Sequence, residues 1–276
     1  MLKITIVIPC YNEAKRLQIA EYCLFVKRHE RIKFLMVNDG SSDETLSILD
    51  RLATSHRAHF EVLDLGENCG KAEAVRRGVL HAAQDRPEAI GFWDADLATP
   101  LCAIPDFSGV LDRQPDLMAV IGVRVPLMGH DIRRRPIRRW LAAEFSQVVS
   151  LVFGQRFHDT QCGAKLFRVM PETLAGFSRP FASRWIFDVE LLARLKQMLG
   201  SNSKAKLCEA IYEFPLDAWQ DVAGSKLKRG DFFKAIGELM VIWWRYLRPG
   251  AAMFVPDTAT MKSSAPEPVL EKRRAA

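Results

Sequence analysis

Two aspartates stand one residue apart in DADLATP, residues 94–100, directly after the apolar run AIGFW and just before a proline. Like charges this close repel, so the pair reads either as a solvated turn or helix cap, or as a place for a divalent cation. Mg2+ and Mn2+ take carboxylate and phosphate oxygens, so Asp94 and Asp96 at a strand end can hold a metal that also bridges a diphosphate. Such an ion stabilises the charge that develops on a departing nucleoside diphosphate. Lys71 follows Gly70 in NCGKAEA, where glycine lets the backbone approach a phosphate. The pair lacks the Walker spacing and is read as an auxiliary donor contact, not a P-loop. Residues 131–139, DIRRRPIRR, hold five arginines and one acid, and the helix expected after them has an apolar face of Leu141, Phe145, Val148 and Val152. A basic rim beside an apolar helix suits a lipid phosphate at a membrane surface. The plainer reading is a solvated charge run on an ordinary helix, and the residues alone leave both open.

These groups need elements to position them. KITIVIPC and RIKFLMVNDG are β-branched runs that end at a proline and at an acid with glycine, and NEAKRLQIAEYCLFVKRHE between them has apolar residues at helical spacing. SSDETLSILDRLAT opens with capping residues and continues as an amphipathic helix. HFEVLDLG is a third strand, GKAEAVRRGVLHAAQ a third helix and AIGFWDAD a fourth strand. The alternation predicts an α/β fold, a mostly parallel sheet with helices on both faces and ligands beyond the strand C-termini. Asn12, Glu13, Asp39, Asn68, Asp94 and Asp96 all fall at those ends. Further on, LMAVIGVR predicts a strand, LAAEFSQVVSLVFG a helix, DTQCGAKLF a turn and short strand, WIFDVELLARLKQ a helix, and FFKAIGELMVIWWRYLR a helix with a broad apolar face.

The 276 residues, 49% hydrophobic, suffice for one large core. Residues 1–230 are expected as the catalytic domain, 231–255 as an amphipathic, membrane-associating helix and 256–276 as a disordered tail with little to bury. The net charge of +6 and pI near 9.0 suit a phosphorylated substrate or an anionic membrane. No nucleic-acid motif accompanies the charge, so nucleic acid is not an expected partner. The six scattered cysteines form no CxxC pair and read as reduced and cytosolic. Cys162 is expected to be packed, not nucleophilic, and Asp188 and Glu190 to interact with a helix dipole. The Trp243–Trp244 pair suits the core or a membrane interface equally. No stretch reaches the roughly 18 apolar residues of a spanning helix, which predicts a cytoplasmic protein held peripherally on the inner face of the membrane.

With VIPCYNE at the first strand end, VNDGSSDET at the second, NCGKAEAVRRG before the third helix and DAD at the fourth, the chain resembles the family-2 glycosyltransferases of the GT-A fold over roughly residues 3–230. The resemblance implies that Pro9, Tyr11, Asn12 and Glu13 border the nucleotide, that Asp39 contacts the base or ribose, and that Asp94 and Asp96 serve the diphosphate and its Mg2+ or Mn2+. DTQCGAKLF at 159–167, RWIFDVELL at 184–192 and WQDVAGSKL at 219–227 look like the polyprenyl- or dolichyl-phosphate glucosyltransferases; mannosyltransferase cousins usually differ at Thr160-Gln161-Cys162. Val123 and Ala164 depart from the common serine and phenylalanine, which bears on acceptor fit.

The same resemblance implies inverting transfer of a hexose from a nucleotide sugar to a polyprenyl phosphate, with UDP-glucose favoured over GDP-mannose. The alternatives are a mannosyltransferase and a non-catalytic nucleotide-binding partner of a membrane protein. An acceptor phosphate is ionised at neutral pH and attacks without a strong base, so cation placement matters most. Arg124, Arg134 and Arg138 are the acceptor-phosphate candidates, and Lys226 is expected to close over the donor diphosphate. Asp159 either orients the sugar or an arginine or, for a hydroxyl acceptor, acts as base.

Overall fold

The computed structural model describes residues 2–134, 136–199, 203–222 and 231–259. β1 (Ile4–Cys10), β2 (Ile32–Asn38), β3 (Phe60–Asp64) and β4 (Ala89–Phe92) are the four β-branched or apolar runs of the first half, and they pair in parallel, with Ile4 opposite both Ile32 and Ala89. The helices between them are α1 (Ile19–Val26), α2 (Thr45–Ser55) and α3 (Lys71–Ala82). The first is shorter than its periodicity predicts. Residues 12–18 lie outside the helix: Asn12 takes a left-handed φ of 54°, and the N–H groups of Asn12 and Glu13 bond to Ser41 in the loop after β2 and to Thr45 at the start of α2.

The second half adds α4 (Ala103–Arg113), β5 (Ala119–Val123), β6 (Asp131–Arg133), α5 (Pro136–Phe153), β7 (Lys165–Arg168), α6 (Pro171–Phe177), α7 (Phe187–Met198), α8 (Ser203–Ala210), β8 (Ile211–Pro215), β9 (Ala218–Gln220) and α9 (Asp231–Ile242), whose last turn widens to a π-helix at Trp243–Leu247. The seven-stranded sheet runs β3-β2-β1-β4-β7-β5-β8, and β6 pairs with β9 separately. β7 alone is reversed: Lys165 lies opposite Phe92 on one side and Ile121 on the other. An antiparallel strand begins where its parallel neighbours end, so the loop before Lys165 enters the sheet at the edge that carries Asp94.

Alternation along the strands feeds two cores. Ile4, Ile6 and Ile8 of β1 face α1, α2 and α4, whereas Val7 faces α3, α5, α7 and α9. This corrects one expectation. The face of α5 read as meeting lipid is a core face: Phe145, Val149 and Phe153 are buried, with Val148 and Val152 packed against the same cluster. Each such side chain gains about 1.5–3 kcal/mol from burial, so α5 keeps that face on the sheet. Its large exposed apolar residues are Ile137, Trp140 and Leu151. On α9, Leu239 and Ile242 enter the core and Met240 and Val241 stay exposed; Trp244 is exposed in the following turn. Among the described residues no helix is long and apolar enough to cross a membrane.

Candidate active site

The loops after β1 and β2 are stitched together. Asn12 N donates to Ser41 Oγ at 3.0 Å, Asn12 Oδ1 accepts from Ser42 N at 2.8 Å, and Glu13 N donates to Thr45 Oγ1 at 2.8 Å. The Glu13 carboxylate accepts from Arg16 Nε at 2.7 Å. Pro9 lies opposite Val37, one residue before β1 ends, and Tyr11 stands exposed on the rim. Asp39 is almost fully buried. Its oxygens accept from Cys69 N at 2.7 Å, Gly70 N at 2.9 Å and Asn68 Nδ2 at 3.2 Å. Burial raises its pKa despite these donors. The acid assigned to the base or ribose therefore shapes the 68–70 turn that starts α3.

The Asp94–Asp96 loop is anchored by Trp93, which is fully buried and donates from Nε1 to Thr99 O at 3.1 Å. Leu97 takes a φ of 54° to close it. Lys71 Nζ binds Asp94 Oδ1, and the backbone of Gly163 presses on the same carboxylate: a Cβ at 163 would lie 1.9 Å from Oδ2. Withdrawal from water raises the Asp94 pKa, but Lys71, Lys165 and Arg124 outweigh it and hold the group ionised. Asp96 is pushed the other way, by burial and then by the charge of Asp94. Its Oδ1 accepts from Ala98 N at 3.1 Å. Two carboxylates crowded at a strand end, one ionised and one resisting ionisation, fit a divalent cation. Among the described residues no group of three or more His, Cys, Asp or Glu is arranged for a metal. The protein thus offers one or two carboxylates, as suits an ion completed by substrate phosphates and water.

Across the reversed strand lies a second charged cluster. Arg124 grips Asp159 through two bonds, Nε to Oδ2 at 2.5 Å and Nη2 to Oδ1 at 2.8 Å, with the two side chains only 9% and 6% exposed. The Arg124 and Arg134 guanidinium carbons lie 5.1 and 5.8 Å from the Trp219 ring centroid. Burial would raise the Asp159 pKa, yet Arg124 brings it down to about 2, which removes it as a base near neutral pH. Burial and the charge of Arg124 push Arg134 down to about 10. Asp159 and Asp221 only partly offset this, so the cluster favours a further anion.

Between the clusters, Lys165 Nζ donates to Cys162 O at 2.5 Å and to Asp188 Oδ1 at 2.7 Å. Glu190 pairs with Arg194 at 2.8 Å, both buried. Asp188 and Glu190 lie in the first turn of α7, as the helix-dipole expectation has it, and each also holds a buried cation, Lys165 and Arg194 respectively. Cys162 is fully packed, its pKa raised by burial, and the six cysteines are free thiols. The structure brings Lys71, Asp94 and Asp96 together at one edge, and Arg124 with Asp159 beside it. Lys226 lies outside the described residues, as does the side chain of Arg138, whose backbone is on α5. Sequence reasoning missed Gly163, Lys165 and Trp219. A lysine inside the apolar run AKLF was the one available signal, since a buried strand lysine requires a partner.

A model of glycosyl transferase family 2 matches residues 5–179. A dolichyl-phosphate beta-glucosyltransferase of Trichomonas vaginalis is 30% identical over 280 residues, covering 96% of this chain and 75% of that protein. Another, from Drosophila melanogaster, is 33% identical over 265 residues, covering 89% and 76%. Among solved structures, glucosyl-3-phosphoglycerate synthase from Mycobacterium tuberculosis in complex with Mn2+, UDP-glucose and phosphoglyceric acid superimposes with a TM-score of 0.62 at 18% identity, covering 88% of this chain and 80% of that one. Mannosyl-3-phosphoglycerate synthase from Rubrobacter xylanophilus gives 0.59 at 18% identity, covering 87% and 72%. At such identity the likeness is one of fold, the GT-A arrangement of a mostly parallel sheet with helices. The matched motifs, the fold and relatives that align over most of the chain agree: this protein belongs to glycosyl transferase family 2.

Proposed function

We propose that the protein transfers glucose from UDP-glucose to a dolichyl or other polyprenyl phosphate at a membrane surface, with inversion at the anomeric carbon. The observation that carries this is the Asp94–Asp96 pair at the C-terminal edge of β4, with Lys71 on one carboxylate and the Arg124–Asp159–Arg134 cluster across β7. The names of the relatives in Trichomonas and Drosophila support the sugar and the acceptor, and the solved neighbour with Mn2+ and UDP-glucose supports a donor of that class.

In this reading an acceptor phosphate oxygen attacks the anomeric carbon of glucose, and the bond from that carbon to the diphosphate breaks. The attacking oxygen carries no proton, so no base is required, in keeping with an Asp159 already ion-paired. Lys71 and Asp96 lie on the leaving-group side, where a bound Mg2+ or Mn2+ would neutralise the departing diphosphate. Arg124, fixed by Asp159, and Arg134, stacked on Trp219, provide the cationic wall for the acceptor phosphate; Arg138 and Lys226 are further cations for the acceptor and donor. Exposed Trp140, Ile137, Met240 and Trp244 supply the apolar groups for a peripheral membrane contact, with Arg133 and Arg139 exposed nearby in sequence. The test is transfer from labelled UDP-glucose, GDP-mannose and UDP-N-acetylglucosamine to polyprenyl phosphate in vesicles with Mn2+ or with chelator. Glucosyl lipid formed only with metal is expected; hydrolysis without lipid product, or preference for GDP-mannose, would refute the acceptor or the sugar.

A further inference from the structure

Residues 183–186 form the turn that leads into α7, and two carboxylates hold it from opposite sides. Glu190 Oε2 accepts from Ser183 N at 2.9 Å. Glu238, on α9, accepts from Ser183 Oγ, from Trp185 N at 3.2 Å and from Ile186 N at 3.3 Å. Arg184 sits inside this clamp, and its side chain extends to the start of α3. Its Nη2 lies 3.3 Å, and its Nε 3.7 Å, from where a Cβ on Gly70 would stand. The neighbouring residue, Lys71, is the one that reaches Asp94.

Arg184 has the field of Asp39 nearby but no bond to it. The Asp39 oxygens are already taken by Cys69 N, Gly70 N and Asn68 Nδ2. Among the described residues no hydrogen bond or ion pair engages the Arg184 guanidinium, and the residue is exposed. A guanidinium offers five N–H donors in a planar fork that matches two phosphate oxygens. Here the fork is held over the donor edge of the sheet by a backbone turn that is itself pinned by two acids, while its own donors have nothing to serve.

We propose that Arg184 binds the diphosphate of the nucleotide-sugar donor and that Glu238 is its positioning residue, which makes α9 a working part of the donor site. The inference rests on the donor reading above. Arg184 stands against Gly70, and the next residue, Lys71, binds Asp94, so the start of α3 joins the guanidinium to the carboxylates that would hold the metal.

The experiment is isothermal titration of the full chain with UDP in the presence of Mn2+, with uridine binding followed by ligand-observed NMR. Arg184→Gln is expected to weaken UDP about tenfold, the effect of one charge-assisted contact, and to leave uridine affinity within about twofold. Arg184→Lys should recover part of the loss, because it restores the charge without the fork. Glu238→Ala should weaken UDP similarly, and the double variant should be no weaker than Arg184→Gln alone, since both changes remove one contact. If Glu238→Ala loses its circular dichroism signature, Glu238→Gln, which keeps one acceptor oxygen, takes its place with the same expected non-additivity. Unchanged UDP affinity in Arg184→Gln, or equal loss for UDP and uridine, overturns the diphosphate contact. An additive double variant overturns the role of Glu238. Failure of the wild-type protein to bind UDP would instead remove the donor reading itself, and the inference with it.

Discussion

Replacing Asp159 by asparagine separates a structural counter-charge from a base. The substitution keeps the shape but leaves Arg124, 9% exposed, with a buried charge and with Arg134 as its neighbour over Trp219. Breaking a buried, hydrogen-bonded ion pair on one side costs about 3–5 kcal/mol, whereas a solvent-exposed pair is worth about 0–1 kcal/mol. Side chains 9% and 6% exposed, joined by two bonds, place this pair in the first class. The titration of Asp159 gives a second measure. A carboxyl held at about 2 against 3.8 is a carboxylate that the fold prefers charged, worth about 2 kcal/mol near neutral pH. Because the folded pKa is the lower one, the stabilisation is complete above the unfolded value and is lost as pH falls from near 4 toward 2. Urea unfolding of wild type and Asp159→Asn should therefore show a gap of about 3 kcal/mol or more at pH 7, narrowing by about 1 kcal/mol at pH 3. If the variant unfolds within about 1 kcal/mol of wild type while glucosyl transfer disappears, the acid acts on substrate and the ion-pair reasoning is wrong.

Asp96→Asn should lower turnover at least about a hundredfold, a few kcal/mol of transition-state stabilisation, with an unchanged melting temperature; activity that persists in excess chelator would refute the metal role. Gly163→Ala puts a Cβ 1.9 Å from Asp94 Oδ2, so donor binding measured by titration should fall even though no polar group has been removed. Arg134→Gln should raise the KM for polyprenyl phosphate about tenfold or more and leave UDP affinity as it was; loss of both would put the arginine on the donor side. Sedimentation with anionic vesicles should recover the protein, less of it at high salt, and less again after Trp140→Ser and Trp244→Ser. A protein left in the supernatant at low salt would argue for an acceptor outside the membrane or for a membrane-bound protein partner.

The first half of the fold is readable because each strand is a β-branched or apolar run that stops at a polar motif, and those stops are where the crevice forms. Asp94, Asp96 and Lys71 are legible for the same reason: their chemistry is local to a strand end or a helix start. Asp39 and Asp159 are legible as acids but not by role, since their partners Cys69, Gly70 and Arg124 stand far away in the chain. Periodicity also fails to say which surface a face meets. The apolar stripe of α5 looks the same whether it meets lipid or Phe157 and Phe177 of the core. The short β8 and β9 are not legible in the sequence, because IYEFP and AWQ carry polar or aromatic residues without a clean alternation.

The reversed strand β7 has a consequence for how such a chain can vary. Val123 ends β5 and Lys165 begins β7, adjacent strands at one edge, with Gly122 N bonded to Ala164 O at 2.9 Å. Everything from 124 to 164, including β6 and α5, is thus a cassette whose two ends are clasped side by side. Within it the core face of α5 and the Arg124–Asp159 pair are fixed by burial, and the exposed turns between them are where length and composition can change. A descendant chain can change those exposed turns while Asp94, Asp96 and Lys71 stay where they are, so long as it preserves the glycine against Asp94. With the acceptor on that side, as proposed above, acceptor preference can drift within a lineage while donor preference is held still.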